Sequence, residues 1–427
     1  MRQARTPVDP GSEPAEETLH LVSLLARLRT DQASSRADLA RQSGLSRATV
    51  SQHVDFLLHK EMITETGPGE SRGGRRPRLL RFRGEAGYVG AVDLGATSLD
   101  VAITDLRGRV LRHHAEEATV LRGPAPVLER AVALLGSLLA QFDLTRDRLW
   151  GIGMGVPGPV EYRTGLPVAP PIMPGWSGYP IPEYFARSFA CPVFVDNDVN
   201  ILARGEAAAG LGAGVDNFLF VKVGTGIGAG IVVHGHIYRG SQGCAGDIGH
   251  IAVDAASGAN VICRCGNVGC LEALAGGAAL AQLAEAAARG GQSALLAARL
   301  AERGTLTAAD IAEMANKGDA WSTERIRSTG HLLGHTLAGL VNFFNPSLVV
   351  IGGGLANAGD SLLAAIREAV YRRSLPLATR ALRIERSPLG GHGGVAGAAH
   401  VVLDELFSVG NLAYVVQLLD RNLSVQA

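Results

Sequence analysis

Two segments of this 427-residue chain share one design, in which an apolar strand leads through a glycine-rich turn into a second apolar strand. The first is YVGAVDLGATSLDVAITDLRGRVL at residues 88–111, and the second is FLFVKVGTGIGAGIVVHGHIYRG at residues 218–240. Either segment alone is weak evidence, because glycine also serves ordinary hairpins. Their recurrence is more restrictive, since it predicts a duplicated α/β body with a cleft between the two halves.

Both turns have the composition of loops that bind phosphate. Glycine lets backbone N–H groups approach a phosphate closely, and a hydroxyl or carboxylate can hold the accompanying Mg²⁺. A third glycine run, LVVIGGGLANAGD at residues 348–360, follows an apolar strand and is placed to form the floor under an adenine. The nucleotide-binding residues that these three runs predict are Asp93, Gly95, Thr97, Gly224, Thr225, Gly226 and Gly353.

Basic residues are concentrated near the N-terminus, although the whole chain has 40 basic and 40 acidic residues. Residues 1–83 contain 14 Lys and Arg against 10 Asp and Glu, and six arginines fall between Pro68 and Arg83. Residues 1–17 are polar and rich in Pro and Glu, which predicts disorder. This asymmetry favours a nucleic-acid-binding N-terminus attached to a mildly acidic body.

Residues 18–83 have the pattern of a helix-turn-helix followed by an Arg-rich hairpin wing. Ser35 and Asp38 are spaced as a capping box, Gly44 suits a left-handed turn, and Ser46 can cap the next helix. Such a motif lays its second helix in the DNA major groove, and a basic arm can contact phosphates. A small helical bundle with a solvated polar face is the alternative. The predicted DNA contacts are Arg47, Thr49, Ser51 and Gln52 on the helix, with Arg75 and Arg76 on the wing.

Three of the five cysteines lie within eight positions, in CRCGNVGC at residues 263–270. With a preceding histidine they give the spacing H-x12-C-x-C-x4-C, whose four ligands predict a closed, tetrahedral structural Zn²⁺ site. A redox-active C-x-C pair is the alternative, although a thioredoxin-like motif would be C-x-x-C. Cys191 and Cys244 are interpreted as buried small residues. The predicted metal ligands are His250, Cys263, Cys265 and Cys270.

The segment VFVDNDVNILARGE at residues 193–206 places Asn197, Asp198 and Asn200 directly after a short apolar strand. A carboxylate at a strand end can polarise a bound hydroxyl group that lies within hydrogen-bond distance. The same cluster is also typical of a cap on the following helix, a role predicted for Asn200 or Asp198. Both interpretations can hold.

These motifs, in this order, resemble those of the ROK family of repressors and sugar kinases. The resemblance covers residues 18–400 and extends to the xylose-type and N-acetylglucosamine-type repressors of the family. It implies a winged helix-turn-helix followed by an actin-like (ribonuclease H-like) duplicated α/β body. The implied domains are a disordered N-terminus at 1–17, the winged helix at 18–83, the first lobe at 84–197, the second lobe with the zinc and sugar sites at 198–400, and a C-terminal helical tail at 401–427.

The resemblance also implies a sugar site beside the metal. GCAGDIGHIAV at residues 243–253 matches the ExGH motif of the family, and GVPGPV and PPIMPGW, at 155–160 and 170–176, resemble its pocket loops. Asp198 matches the catalytic base of the family's kinases, and in the family the metal holds the sugar loop in shape. The implied sugar-binding residues are Asn197, Asp198, Asp247, His250 and Glu272.

Two positions depart from the kinase pattern. Ala96 replaces the second glycine of D-x-G-G-T, so a methyl group crowds the place of a phosphate, and Asp247 is one methylene shorter than the family's glutamate. We therefore expect a sugar-responsive transcriptional repressor and not an enzyme. A ROK sugar kinase, or a bifunctional protein, is the alternative, and only retained kinase activity would require ATP and Mg²⁺.

The expected partners are palindromic double-stranded operator DNA, a monosaccharide, amino sugar or sugar phosphate effector, and further copies of the chain in a homodimer or homotetramer. Sugar would change lobe closure and thereby the spacing of two winged helices, which must lie about 34–36 Å apart to engage a palindrome. No stretch of about 18 apolar residues is present, and the N-terminal segment lacks an apolar signal core. We therefore expect a cytoplasmic protein without a membrane partner.

Overall fold

The computed structural model describes residues 16–29, 34–68, 77–253 and 261–426. It begins with three helices and a small antiparallel sheet, which together we call the head. The helices are α1 (Glu16–Leu28), α2 (Arg36–Ser43) and α3 (Arg47–His59). The strands are β1 (Ser34–Ser35), β2 (Ile63–Pro68) and β3 (Arg78–Phe82), in the order β1-β3-β2.

Short-range hydrogen bonds fix the turns of the head as the sequence predicts. Ser35 caps α2 and forms a capping box with Asp38, and Gly44 adopts a φ of 73° after this helix. Ser46 caps α3 by accepting a hydrogen bond from the Thr49 N–H at 3.1 Å. The apolar faces of α1 and α3 form the core of the head, with Leu21, Leu24, Leu25, Leu28, Val50, Val54 and Leu57 buried.

Two five-stranded sheets with the same topology form the body. The first contains β4 (Tyr88–Leu94), β5 (Ser98–Asp105), β6 (Val110–Glu117), β7 (Leu149–Val156) and β10 (Val193–Asn197), in the order β6-β5-β4-β7-β10. The second contains β11 (Phe218–Val223), β12 (Ile227–Val233), β13 (His236–Ile237), β14 (Leu348–Gly352) and β15 (Arg383–Arg386), in the order β13-β12-β11-β14-β15. In each sheet an antiparallel meander continues into two parallel strands. A short ladder of β8 (Val160–Glu161) and β9 (Leu166–Pro167) completes the strands of the described residues.

Helices cover both sheets. They are α4 (Pro124–Ala140), α5 (Ile181–Ala186), α6 (Asp198–Ala209), α7 (Leu271–Ala275), α8 (Gly277–Arg289), α9 (Ala294–Arg303), α10 (Ala308–Asn316), α11 (Ala320–Phe344), α12 (Asp360–Arg373), α13 (Pro376–Thr379), α14 (His392–Leu406) and α15 (Leu412–Gln426). Helices α4 and α14 pack on opposite faces of the first sheet. Helix α6 lies between the sheets, with Ile201 in the core of the first and Ala203 in the core of the second. Each helix of the described residues is too short or too polar to cross a bilayer.

The C-terminal helices join the body to the head. Helix α14 crosses residue 400, where the sequence analysis placed the start of a tail, and packs against β4, β7 and α6. Helix α15 buries four apolar side chains in the same core as the head leucines. Between these two helices, the ring of Phe407 lies edge-on to Phe82 of β3, with 6.0 Å between the ring centroids. The head therefore shares an apolar core with the end of the chain.

Candidate functional site

A cavity of about 500 Å³ lies where the glycine turns of the two sheets meet. The turn after β4 contributes Gly95 and Thr97, and the turn after β11 contributes residues 224–228. The two proline-rich loops singled out in the sequence line it through residues 157–159 and 171–172. This volume suits a small-molecule ligand.

Most of the predicted ligand-binding residues line this one cavity. They are Gly95, Thr97, Asn197, Asp198, Gly224, Thr225, Gly226, Asp247, His250 and Glu272. Gly353 itself does not line the cavity, but the next two residues, Gly354 and Leu355, do. Asp93 lies behind the wall, where its Oδ1 is buried without a hydrogen-bond partner. Burial raises the pKa of Asp93 to about 7, since the attraction of Lys222 does not offset the burial and the repulsion from Asp198 and Asp100.

Helix α6 begins at Asp198, and Asn197 is its cap. Asn197 Oδ1 accepts a hydrogen bond from the Val199 N–H at 2.9 Å, and its Nδ2 donates to the Gly158 carbonyl at 2.9 Å. The prediction of Asn200 or Asp198 as the cap is therefore wrong, because both lie inside the first turn. The Asn200 amide donates instead to an Asp196 oxygen at 2.8 Å.

Lys222 was not among the predicted site residues, yet it is the one Lys or Arg among the described residues that line the cavity. Its ammonium donates a hydrogen bond to Asp198 Oδ2. Burial opposes the charged form of Lys222, but the Asp198 and Asp93 carboxylates outweigh it and raise the pKa above its ordinary value. The available signal was a lysine within the apolar strand FLFVKV, directly before a glycine turn.

Glu272 ties the second glycine turn to α7. Its Oε2 accepts a hydrogen bond from the Ile227 N–H at 3.0 Å. A side chain at Gly226 would collide with this same oxygen, so glycine permits the close approach. Asp247 lines the same end of the cavity, and burial raises its pKa above the ordinary value.

The four predicted metal ligands converge beside the cavity. The ligand atoms of His250, Cys263, Cys265 and Cys270 all lie within 4.8 Å of one another. The His250 Nδ1 is 3.7 Å from the Cys263 Sγ, and the Cys265 Sγ is 3.7 Å from the Cys270 Sγ. This cluster can hold a metal ion.

The metal-ligand cluster connects the two segments that carry the predicted sugar-binding acids. His250 ends a short 3-10 turn that follows Asp247, and Cys270 directly precedes α7, which carries Glu272. An antiparallel bridge between Ala252 and Cys270 holds these segments side by side. A metal ion bound here would fix both acids relative to each other.

The two remaining cysteines take no part in this cluster. Cys244 is exposed and Cys191 is half-buried. The interpretation of both as buried small residues is therefore wrong for Cys244, because it lies in a surface loop.

The four predicted DNA-contacting residues on α3 differ in solvent exposure and in whether the side chain already forms a hydrogen bond. Arg47 and Gln52 are exposed, whereas Thr49 and Ser51 are half-buried. Thr49 Oγ1 lies 2.8 Å from Ser46 Oγ, and Ser51 Oγ accepts a hydrogen bond from Arg36 at 2.9 Å. Thr49 thus supports the cap of its own helix, and Ser51 helps to hold α2 and α3 together. Arg75 and Arg76, which come between β2 and β3 in the sequence, lie outside the described residues.

The model of the ROK family matches residues 89–405. The chain belongs to the ROK family. A xylose repressor of Caldicellulosiruptor bescii is 28% identical to this ROK chain. The match covers 93% of this chain and 98% of the repressor. A glucokinase of Halalkalibacterium halodurans is 34% identical over 74% of the ROK chain and 94% of the glucokinase.

A solved structure of a regulator is also similar to this ROK chain. The crystal structure of a ROK family transcriptional regulator, a homologue of the Escherichia coli Mlc protein, has a TM-score of 0.78 and 26% identity. The match covers 94% of this chain and 98% of that one, so it has to include most of the head. The mixed α/β architecture is therefore that of ROK proteins.

Proposed function

We propose that this ROK protein is a sugar-responsive, DNA-binding transcriptional repressor of carbohydrate metabolism or transport genes, acting in the cytoplasm. The observation that carries the proposal is the share of this chain that matches each kind of relative. The xylose repressor and the ROK regulator match more than nine-tenths of the chain, whereas the glucokinase matches 74%. We assign residues 18–83 to a winged helix-turn-helix, residues 84–197 to the first lobe and residues 198–391 to the second, because α14, which begins at His392, packs on the first sheet.

The shape of the head supports DNA binding. Helices α2 and α3 meet at the tight turn of Gly44, and α3 presents Arg47 and Gln52 to solvent in its first half. The first residues of a recognition helix contact base edges in the major groove. We assign the β2–β3 hairpin to the wing, with Arg75 and Arg76 contacting phosphates. Two heads in a homodimer or homotetramer would read a palindromic operator.

The chemistry of the cavity supports a sugar effector. Each sugar hydroxyl both donates and accepts, so a dry pocket must offer partners of both kinds. The carboxylates of Asp198, Asp247 and Glu272, together with the His250 imidazole and the Asn197 amide, are assigned this role.

We propose zinc as the metal of the His–Cys₃ cluster. Ligands about 2.3 Å from a central zinc at the corners of a tetrahedron are about 3.8 Å apart. Two of the observed separations, each 3.7 Å, are close to this value. With Nδ1 of His250 directed at the thiols, its Nε2 remains for a sugar hydroxyl.

Helices α6 and α14 offer a route from the sugar to the head. Asp198, at the start of α6, lines the cavity, and Arg204 of α6 donates to Asp404 of α14 at 2.5 and 2.8 Å. Beyond the end of α14, Phe407 contacts Phe82 of the head. A shift of α6 on sugar binding would therefore reorient the head, and a few ångströms suffice to disturb the spacing that a palindrome requires.

Operator binding with and without sugar tests the proposal. Genomic fragments selected by the purified chain serve as probes, and their affinity is measured by fluorescence anisotropy across a panel of monosaccharides, amino sugars and sugar phosphates. We expect at least one sugar to change the affinity without ATP. Arg47→Ala should weaken specific binding by about 1–3 kcal/mol, while Arg122→Ala, an exposed arginine of the body, should not.

Loss of the wing arginines has a different signature. Replacing Arg75 and Arg76 should weaken binding to all DNA sequences and reduce its salt dependence. Selection of no genomic fragment, or no response to any sugar in the panel, would contradict the proposed function.

A sugar kinase is the second candidate, because Asp198 and the glycine turn at residues 224–228 are both present in the cavity. A coupled assay for ADP formation distinguishes it from the repressor. Sugar-dependent ADP formation at ordinary enzyme rates that Asp198→Asn abolishes would support the kinase. Operator binding that responds to sugar but needs no ATP supports the repressor.

A further inference from the structure

Lys222 lies where the second sheet meets the start of α6. Side chains alternate along β11, and Phe218 and Phe220 are buried on the face that packs against Ala203 of α6. Lys222 is the next residue on this face, level with the first turn of α6. The last residue of β11 on this face is therefore a lysine, and its ammonium contacts Asp198.

The ammonium of Lys222 is attracted by two acids, one of which it contacts. It donates a hydrogen bond to Asp198 Oδ2, and the exposed fractions of the two side chains are 22% and 7%. The second acid is Asp93, whose Oδ1 is buried without a hydrogen-bond partner and whose charge also acts on Lys222. Both acids raise the pKa of Lys222, so this lysine remains a cation across the physiological pH range.

A fixed ammonium at this position conflicts with phosphoryl transfer. A kinase needs a divalent cation between carboxylates and phosphate, and it needs a carboxylate free to accept the proton of the attacking hydroxyl. Here Lys222 already balances the charge of Asp198, and its ammonium repels a second cation. One oxygen of Asp198 is also engaged in a charge-assisted hydrogen bond.

The remaining charges of the cavity disfavour a phosphorylated ligand. Asp198, Asp247 and Glu272 line it, and Lys222 is the one Lys or Arg that the described lining residues offer against them. Because that lysine is paired with Asp198, no free cation is left among them to receive a phosphate group.

We propose that Lys222 takes the place of a divalent cation in the cleft, so that the protein binds an unphosphorylated sugar without Mg²⁺ or nucleotide and transfers no phosphate. The lysine is a positioning residue, because its hydrogen bond holds Asp198 oriented toward a sugar hydroxyl. This inference rests on the proposed function, and it specifies the effector as a neutral sugar.

Calorimetric titration tests this inference. Glucose, xylose, N-acetylglucosamine and glucose 6-phosphate are titrated into the full-length protein in magnesium-free buffer, and again with MgCl₂ and a non-hydrolysable ATP analogue. We expect a neutral sugar to bind with an affinity that changes by less than about twofold between the two buffers. We expect the sugar phosphate to bind at least about tenfold more weakly than that sugar.

Lys222→Met removes the cation while keeping most of the length of the side chain. It should lower the sugar affinity by about tenfold in magnesium-free buffer, because Asp198 loses a charged hydrogen bond. Added MgCl₂ should restore part of this loss, since the two acids can then receive a divalent cation. Lys317→Met, in the exposed Lys317–Glu313 pair of α10, is the matched control and should behave as the wild type.

Three outcomes would overturn the inference: sugar binding by the wild type only with Mg²⁺ and nucleotide, sugar-dependent ADP release, or tighter binding of the sugar phosphate. The wild-type titrations decide it even if Lys222→Met does not fold. Failure of the proposed function is recognised separately, because then no sugar of the panel alters operator binding in either buffer. A sugar response that requires Mg²⁺ and ATP would overturn only the inference about Lys222.

Discussion

At the scale of single residues, the His–Cys₃ cluster is the site whose side-chain types most restrict what it can bind. His250 and three cysteines bring their ligand atoms within 4.8 Å of one another from two separate segments. Thiolates this close repel one another unless a cation lies between them. A metal ion bound here would therefore fix Asp247 and Glu272, the acids that we propose bind the sugar, relative to each other.

Cys265→Ser should remove the bound metal and weaken sugar binding. The loss of a ligand opens the site, and we expect the free energy of unfolding to fall by about 2–5 kcal/mol. Metal content by mass spectrometry and sugar affinity by calorimetry check this prediction. Cys244→Ser is the control, because Cys244 is exposed and outside the cluster. One equivalent of zinc retained by Cys265→Ser would contradict the assignment.

His400 makes stability depend on pH. Burial on α14, beside Arg204 and Arg29 and despite Asp404, lowers its pKa to about 4. Above the ordinary value near 6.5 the imidazole is neutral in both states, so its contribution to stability is fully present. On acidification from 6.5 to 4 the unfolded chain is protonated first, which lowers the free energy of unfolding by about 1–3 kcal/mol.

His400→Gln should therefore lose less stability than the wild type between pH 7 and pH 4. Urea unfolding at both pH values measures the difference. His236→Gln, which alters an exposed histidine, should retain the wild-type dependence. An equal loss of stability in His400→Gln and the wild type would refute the prediction.

At the scale of elements, the crossing of α6 and α14 lies on the route that we propose from the sugar to the head. Glycines let the two backbones approach closely: Gly205 lies against the Gly393 carbonyl, and Gly397 against the Ile201 carbonyl. Packed backbones without intervening side chains have little room to slide independently. We therefore expect the two helices to move as one unit.

Gly397→Ala should separate α6 from α14. The added methyl group would collide with the Ile201 carbonyl oxygen, and we expect a cost of about 2 kcal/mol or more in unfolding free energy. Gly339→Ala in α11 is the matched control, because no other atom lies within 4 Å of the new methyl group. Helix propensity should make that variant neutral or more stable by up to about 1 kcal/mol. Equal stability of both variants, measured by urea unfolding, would show that the crossing tolerates a side chain.

At the scale of the whole molecule, one apolar core extends from the head to the end of the chain. It includes the leucines of α1, Phe82 of β3, and the inner faces of α14 and α15. Arg29 lies over the Phe407 ring at 4.3 Å, and Lys60 of the head pairs with Asp420 of α15. The head is thus positioned by α14 and α15, and α14 packs against α6, whose first residues line the ligand cavity.

Phe407→Ala should uncouple the sugar from DNA. We expect the sugar affinity to stay within about twofold of the wild type, because Phe407 is remote from the cavity lining, while the effect of sugar on operator affinity falls by about tenfold. Anisotropy titrations with and without sugar measure this coupling. Phe343→Ala is the control, since Phe343 is 89% exposed on the second lobe. A full sugar response in Phe407→Ala would argue against this route.

The sequence by itself determined the features that depend on neighbours a few positions apart. The capping box of Ser35 and Asp38 and the turn at Gly44 follow from hydrogen bonds within one helical turn. The repeated hairpins follow from strand periodicity, and the metal ligands from the spacing of rare residues. The cap of α6 was misassigned because a cluster of Asn and Asp offers several adjacent candidates with similar local chemistry.

Only the tertiary structure decided which distant residues meet. Lys222 is inconspicuous in an apolar strand until the fold brings it to Asp198, 24 positions away. Likewise, the apolar C-terminal segment could have packed against any apolar surface, and the fold places it against the head. The hydrophobic effect depends on the apolar area that is buried and not on which element covers it. The sequence pattern therefore shows that a face is covered but not by which element.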